Sequence, residues 1–162
     1  MMNQEVISSS SEFDQARKQA VFEGWRNFIM GQPATLLPFE TVRQALNLRD
    51  MERRGLQDIA IDAIVGSVGR DWDFTRTFLP KSNFIRDRWQ QVADLCPCQD
   101  IPPILVYKVS DIYFVVDGHH RVSVRRSRGA ETIEAFVIEC PTSVSIDKDD
   151  DVRAIRQKGN HA

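Results

Sequence analysis

The stretch Tyr113-Phe114-Val115-Val116-Asp117-Gly118-His119-His120-Arg121-Val122-Ser123-Val124, followed by Arg125-Arg126-Ser127-Arg128-Gly129, decides how the chain folds. Residues 113–116 are aromatic or β-branched and read as a mostly buried strand. Asp117 suits a helix N-cap, and Gly118 lets the backbone turn sharply or approach a ligand closely. A short helix is expected next, stopping at Gly129. Its first turn carries His119, His120 and Arg121. A helix N-terminus offers unpaired N–H groups and partial positive charge, and here two imidazoles and a guanidinium join them, which is the chemistry of a phosphate site. Adjacent helical residues point about 100° apart, so the two histidines do not suit joint chelation of one metal. One should face the ligand while the other packs or caps.

Working outward, 162 residues suffice for one domain with a proper core. A hydrophobic share of 42% and a charged share of 27% are ordinary for a soluble globular protein, and a net charge of −2 gives no global basic field toward nucleic acid or anionic membrane. No apolar run approaches the roughly 20 residues of a membrane span, and the polar N-terminus has no signal core. The three cysteines, Cys96, Cys98 and Cys140, are an odd number with a Cys-Pro-Cys spacing. That argues against a disulfide framework and for a reduced, cytoplasmic setting. A zinc site from Cys96 and Cys98 with His119 or His120 would lack a second cysteine pair, and no resident metal site is expected.

Residues 1–11, with the serine run Ser8 to Ser11, are expected to be disordered. Ser11 can cap a helix over 12–30, with Phe13, Ala16, Ala20 and Phe28 near one face. A second helix is expected over 38–47, and 48–55 reads as a helix extension or linker. Residues 12–55 then form a helical arm, in which Phe22, Trp25 and Phe28 need a partner to cover them. A homodimer through these first two helices is the expectation. Residues 59–64 alternate as a strand, followed by the loop Gly66-Ser67-Val68-Gly69-Arg70, either a weak anion nest or a plain surface turn. Trp72, Phe74 and Phe78 read as core anchors ahead of base-stacking groups. Asp71 and Asp73 are the candidate catalytic carboxylates, each a magnesium ligand, a general base or a solvated loop residue. Residues 83–95 form the clearest helix, with Ile85, Trp89 and Val92 at i, i+4 and i+7. A hairpin of strands 104–109 and 112–116 turns at Ser110-Asp111, and 132–139 alternates as a closing strand. Residues 141–162, with four aspartates between 147 and 151, read as an acidic tail, solvated or forming a short terminal helix, and removal of residues 143–162 should leave the core folded. The fold class expected is α+β: a small mixed or antiparallel sheet covered by helices, with its core over 56–140.

Asp117-Gly118-His119-His120-Arg121 resembles the phosphate-binding box of the ParB/sulfiredoxin superfamily. Partition proteins of that superfamily carry Gly-Glu-Arg-Arg and bind CTP, sulfiredoxins carry Gly-Cys-His-Arg and bind ATP, and an ADP-dependent free-serine kinase carries Asp-Gly-His-His-Arg. The resemblance implies that Gly118 is a close-approach glycine and that His120 and Arg121 are phosphate ligands, with His119 beside them. Because His119 stands where sulfiredoxins carry cysteine, sulfinic-acid reduction is not implied. Arg70 matches an arginine that ends the loop after the first core strand of ParB-like proteins, although their proline-containing pattern is absent. Pro102-Pro103-Ile104-Leu105-Val106 resembles the segment before their second core strand. The likeness covers residues 59–139, about half of the chain.

Three functions follow from these residues. The first is a nucleotide-binding domain for ATP, ADP or CTP with magnesium, acting as a phosphotransferase, a hydrolase or a nucleotide-gated switch. The second is a DNA-associated ParB-like regulator or nuclease-like domain, disfavoured because only 33 residues follow Gly129, too few for a reading domain, and because net charge is negative. The third is a non-catalytic scaffold using the helical arm. Arg121, Arg125 and Arg128 fall on one helix face and serve as phosphate support, as a nucleic-acid face or as a solvated surface.

Overall fold

The computed structural model describes residues 9–95 and 101–162. The fold is α+β, built on a six-stranded mixed sheet in the order β1-β3-β5-β4-β6-β2. Strands β1 (Leu37–Pro38), β3 (Ile64–Ser67) and β5 (Ile112–Asp117) run parallel to one another. Strand β4 (Ile104–Val109) pairs antiparallel with β5 and parallel with β6 (Thr132–Glu139). Strand β2 (Glu52–Ala60) closes the far edge, antiparallel to β6.

Side chains alternate across the pleat, so each central strand feeds two cores. Ile104 and Val106 of β4, Val115 of β5 and Ala135 and Val137 of β6 point to one face. There they meet α1 (Ser9–Met30), α3 (Arg86–Leu95) and α4 (His119–Ser127). Val109, Ile112 and Phe114 point to the other, against α2 (Phe39–Ala45) and α5 (Val152–Asn160). The hairpin turn at Ser110 takes a left-handed φ of 53°.

Several elements depart from the sequence expectation. Residues 52–60, expected within a helical extension or linker and the start of a later strand, form one edge strand whose side chains are exposed except at Ile59. Residues 59–64, expected as one strand, span a break: β2 ends at Ala60, a turn of 3₁₀ helix covers Ile61–Ala63, and β3 begins at Ile64. Ser9 to Ser11 belong to α1, while the rest of the expected disordered segment lies outside the described residues. Nor is α1 an appendage. Phe13, Ala16 and Ala20 are buried in the main core, and Phe13 sets its ring edge-on to Trp89 at 5.5 Å. Trp72, expected as a core anchor, is 66% exposed, whereas Phe74 and Phe78 are buried as expected.

The acidic tail is the largest correction. Ile146 and Ile155 are fully buried in the second core. Asp151 caps α5 by accepting from the Ala154 N–H at 2.7 Å, and the space above Gly159 is closed by the Ala45 carbonyl of α2. Buried Arg76 donates to the Lys148 and Asp150 carbonyls and to that of Thr35, tying the segment down. The aspartates hid these anchors because charge in the sequence masks two widely spaced isoleucines. Ile155→Ala should therefore cost about 2–5 kcal/mol, a loss of roughly 5–15 °C in Tm for a chain of this size. Deleting residues 143–162 should abolish the cooperative calorimetric transition, contrary to the sequence expectation.

Candidate functional site

Strand β5 ends at Asp117, and Gly118 turns the chain into α4 with φ 106°. Gly118 itself, not Asp117, occupies the N-cap position, and no side chain caps the helix. The first intrahelical bond runs from the Val122 N–H to the Gly118 carbonyl at 3.0 Å, so the N–H groups of His119, His120 and Arg121 have no partner within the helix. A Cβ on Gly118 would lie 2.5 Å from Cγ2 of Ile104 and 3.2 Å from Nε of Arg121. The close approach at Gly118 is thus to β4, and the fold demands this glycine whatever the ligand. Gly66, read as part of a possible anion nest, sits within β3 against the Phe114 ring.

Three pieces of chain converge on this turn to form a cleft of about 320 Å³. Arg70 comes from the loop after β3. Phe84 and Ile85 come from the 3₁₀ turn Asn83–Ile85 that leads into α3, and Arg88 and Val92 from α3 itself. Asp117, Gly118, His119, His120 and Arg121 form the third wall. Every residue expected to bind phosphate is therefore brought together. Asp71 and Asp73 do not line the cleft. Asp73 accepts from Nε and NH2 of Arg70 at 2.9 and 2.7 Å, which makes it the counter-ion of a cleft arginine.

The cations differ in how far they are committed. Arg121 donates to the carbonyls of Pro102 and Pro103 at 2.6 and 3.0 Å and to Asp117 at 3.0 Å, which fixes the entry to β4 against the start of α4. Arg88 is exposed and has no hydrogen bond or ion pair among the described residues. The sequence reading passed over it. Its spacing from Ile85 and Val92, three and four residues, places it on the face of α3 that meets α4 and was the available signal. Of the other arginines here, Arg126 of α4 pairs with Asp62, and Arg128, just past the helix end, grips Glu12 at 2.8 and 3.0 Å. Arg125 is half-buried, and its Nε has no partner among the described residues.

Both imidazoles are buried. Nε2 of His119 is 2.8 Å from Oγ of Ser67, which also accepts from the Arg70 N–H at 3.1 Å. The His119 ring lies nearly parallel to Phe74 and beside Phe78, while His120 meets Phe74 edge-on at 5.5 Å. Phe78 adopts a left-handed φ of 62°, unusual for a bulky residue and held here by packing. Nε2 of His120 is buried with no partner among the described residues. Burial, and then the charge of Arg70, pushes both histidines down to about 4, with Arg88 adding to the effect on His120. Cys96 and Cys98 lie outside the described residues. Among the described residues, no cluster of His, Cys, Asp and Glu could hold a metal.

The pH consequence has a definite sign. A histidine whose pKa is lower in the native than in the unfolded state is stabilising in its neutral form. That stability is complete above the unfolded value of about 6.5 and is lost as pH falls toward 4. The melting temperature should therefore fall steeply between about pH 6.5 and 4, and a His119→Gln/His120→Gln variant should show a flatter profile in that window. Parallel profiles for the two proteins would assign the acid sensitivity to other groups.

No family model matches the chain and no curated protein is similar to it, so the functional reading rests on the chemistry of the cleft.

Proposed function

We propose that this chain is a nucleotide-phosphate-binding domain of the ParB/sulfiredoxin kind, with the phosphates seated in the cleft at the start of α4. The observation that carries the reading is that three arginines, Arg70, Arg88 and Arg121, line one cleft together with a helix N-terminus whose first N–H groups have no partner within the helix. Two of those cations are partly balanced, Arg70 by Asp73 and Arg121 by Asp117, and Arg88 is not. An incoming polyphosphate supplies the missing negative charge and an oxygen within reach of the His120 side of the cleft. Charge-assisted bonds of this kind are each worth roughly 1.5–3 kcal/mol.

Phe84, 92% exposed at the lip of the cleft, offers a ring face on which a nucleobase can stack. Magnesium fits this site as an ion carried by the nucleotide. Among the described residues, only Asp117 brings a carboxylate to the cleft wall, and magnesium is commonly held by one or two carboxylates plus substrate phosphates. The enzymatic extension is phosphoryl transfer or nucleotide hydrolysis, in which the same guanidiniums would stabilise charge on the transferred group.

A thermal-shift panel of ATP, ADP, CTP and GTP, with and without magnesium, tests the reading. A ligand at a hundredfold excess over Kd stabilises the fold by about 2.7 kcal/mol. Arg88→Ala should weaken nucleotide binding roughly tenfold to a hundredfold without lowering Tm. Arg121→Ala should lower both affinity and Tm, because its carbonyl contacts hold β4. Phe84→Ala should reduce affinity for the nucleotide but not for tripolyphosphate, since base stacking is worth about 1–3 kcal/mol. No stabilisation by any nucleotide, or equal affinity in wild type and Arg88→Ala, would overturn the proposal.

A further inference from the structure

Helix α1 carries apolar residues on two opposite sides. The inner side, Phe13, Ala16 and Ala20, is buried in the main core. The outer side of its C-terminal half presents Val21, Phe22, Trp25, Phe28 and Ile29, which are 54, 67, 67, 83 and 76% exposed. A helix apolar on both sides is a helix meant to be covered on both. With roughly 150–250 Å² for each aromatic side chain, the outer face comes to about 600 Å². That reaches the top of the roughly 300–600 Å² seen for the largest apolar patch of an ordinary monomer. With its polar surround it approaches the roughly 800 Å² per partner of a stable interface.

The relief of this face is as informative as its area. Val21, Gly24, Trp25 and Phe28 line a shallow open depression. Their spacing, i, i+3, i+4 and i+7, is that of the four-residue hole into which a facing helix inserts a side chain. Gly24 forms the floor, and a Cβ there would meet no atom within 4 Å. A mid-helix glycine costs about 1 kcal/mol relative to alanine, and nothing inside the protomer uses the space it leaves. The same face carries large protruding rings beside the hole, so it is complementary to itself.

We propose that the outer face of α1 is the interface of a homodimer, formed by α1 against α1 of a second copy about a two-fold axis. The rings of Trp25 and Phe28 enter the opposing holes floored by Gly24. Lys18, one turn before Val21 on the same stripe, would face its own copy in a parallel pair. An antiparallel pair separates the two ammonium groups and sets the helix dipoles in opposition. Helix α2, expected from the sequence to share the interface, is engaged with α5 and the second core through Phe39 and Val42.

Sedimentation equilibrium of the full chain from low to high micromolar concentration tests this. The wild type should fit a monomer–dimer equilibrium. Trp25→Glu should raise the dimer dissociation constant more than about thirtyfold, the loss expected for a hot spot. Gly24→Leu, which fills the hole, should weaken association as well. Under dilute, monomeric conditions Trp25→Glu should melt close to the wild type, and Gly24→Leu no lower, because neither position is packed within the protomer and replacing a mid-helix glycine favours the helix. A wild type that remains monomeric throughout would overturn the proposal. So would a dimer indifferent to both substitutions, or a monomer that instead co-sediments with phosphatidylcholine–phosphatidylserine vesicles.

Discussion

The structure hangs on the absence of a side chain at Gly118. Its φ of 106° turns β5 into α4, and Ile104 of the neighbouring strand fills the volume a Cβ would need. Those two facts are one constraint. The turn brings the helix start so close to β4 that Arg121 reaches the Pro102 and Pro103 carbonyls just before that strand. The same closeness puts the first turn of α4, whose N–H groups have no partner within the helix, on the wall of the cleft shared with α3 and the loop after β3. An alanine here would suffer both the left-handed penalty of about 1–2 kcal/mol and contact with a fully buried isoleucine. Loss of binding after substituting Gly118 would therefore say little about the ligand. Arg88 is the informative position, because no described part of the protein depends on it.

The buried histidines show how the site is held before any ligand arrives. His119 joins Ser67, at the end of β3, to the first turn of α4, and Ser67 also receives the Arg70 N–H. One hydroxyl thus links two walls of the cleft. The aromatic loop supports them from behind through Phe74 and Phe78. Of the two imidazoles, His119 is committed to the scaffold, while His120 keeps a ring nitrogen without a partner among the described residues. Acid would charge both in a place that burial first, and then the charge of Arg70, makes unfavourable, so a cleft arginine also adds to the acid sensitivity of the fold.

The legible parts of the sequence were those with local periodicity. The strands at 104–109, 112–116 and 132–139 and the helix at 83–95 announced themselves through alternation or the 3.6-residue repeat, and the turn at residues 117–121 on the cleft wall was legible because its residues are contiguous. Strand β2 was not legible. An edge strand with one buried residue carries no alternation, and its place is set by pairing with β6, about 80 residues away. The tail was misread because Ile146 and Ile155 stand alone among charges. The pairing of Asp73 with Arg70 was not legible because it is a matter of loop geometry. Arg88 was not singled out as a cleft residue because a lone arginine on a helix is ordinary until the opposing wall is known.

Helix α1 connects the cleft to the proposed dimer face. Its inner side contacts each element that shapes the cleft: Asp14 pairs with Arg86 at the start of α3, Glu12 with Arg128 at the end of α4, and Arg17 donates to the Pro80 carbonyl that closes the aromatic loop. Thr77 of that loop donates to Glu23. Single exposed ion pairs contribute little, but here they sit on a helix already anchored by Phe13 against Trp89, whose indole N–H donates to Ser123 of α4 at 2.9 Å. A second copy pressed against the outer face would limit the rocking of α1 and, through these contacts, of α3 relative to α4. Because α3 carries Arg88 and α4 carries the free N–H groups, the spacing on which a polyphosphate depends is the quantity that such an interface would hold constant.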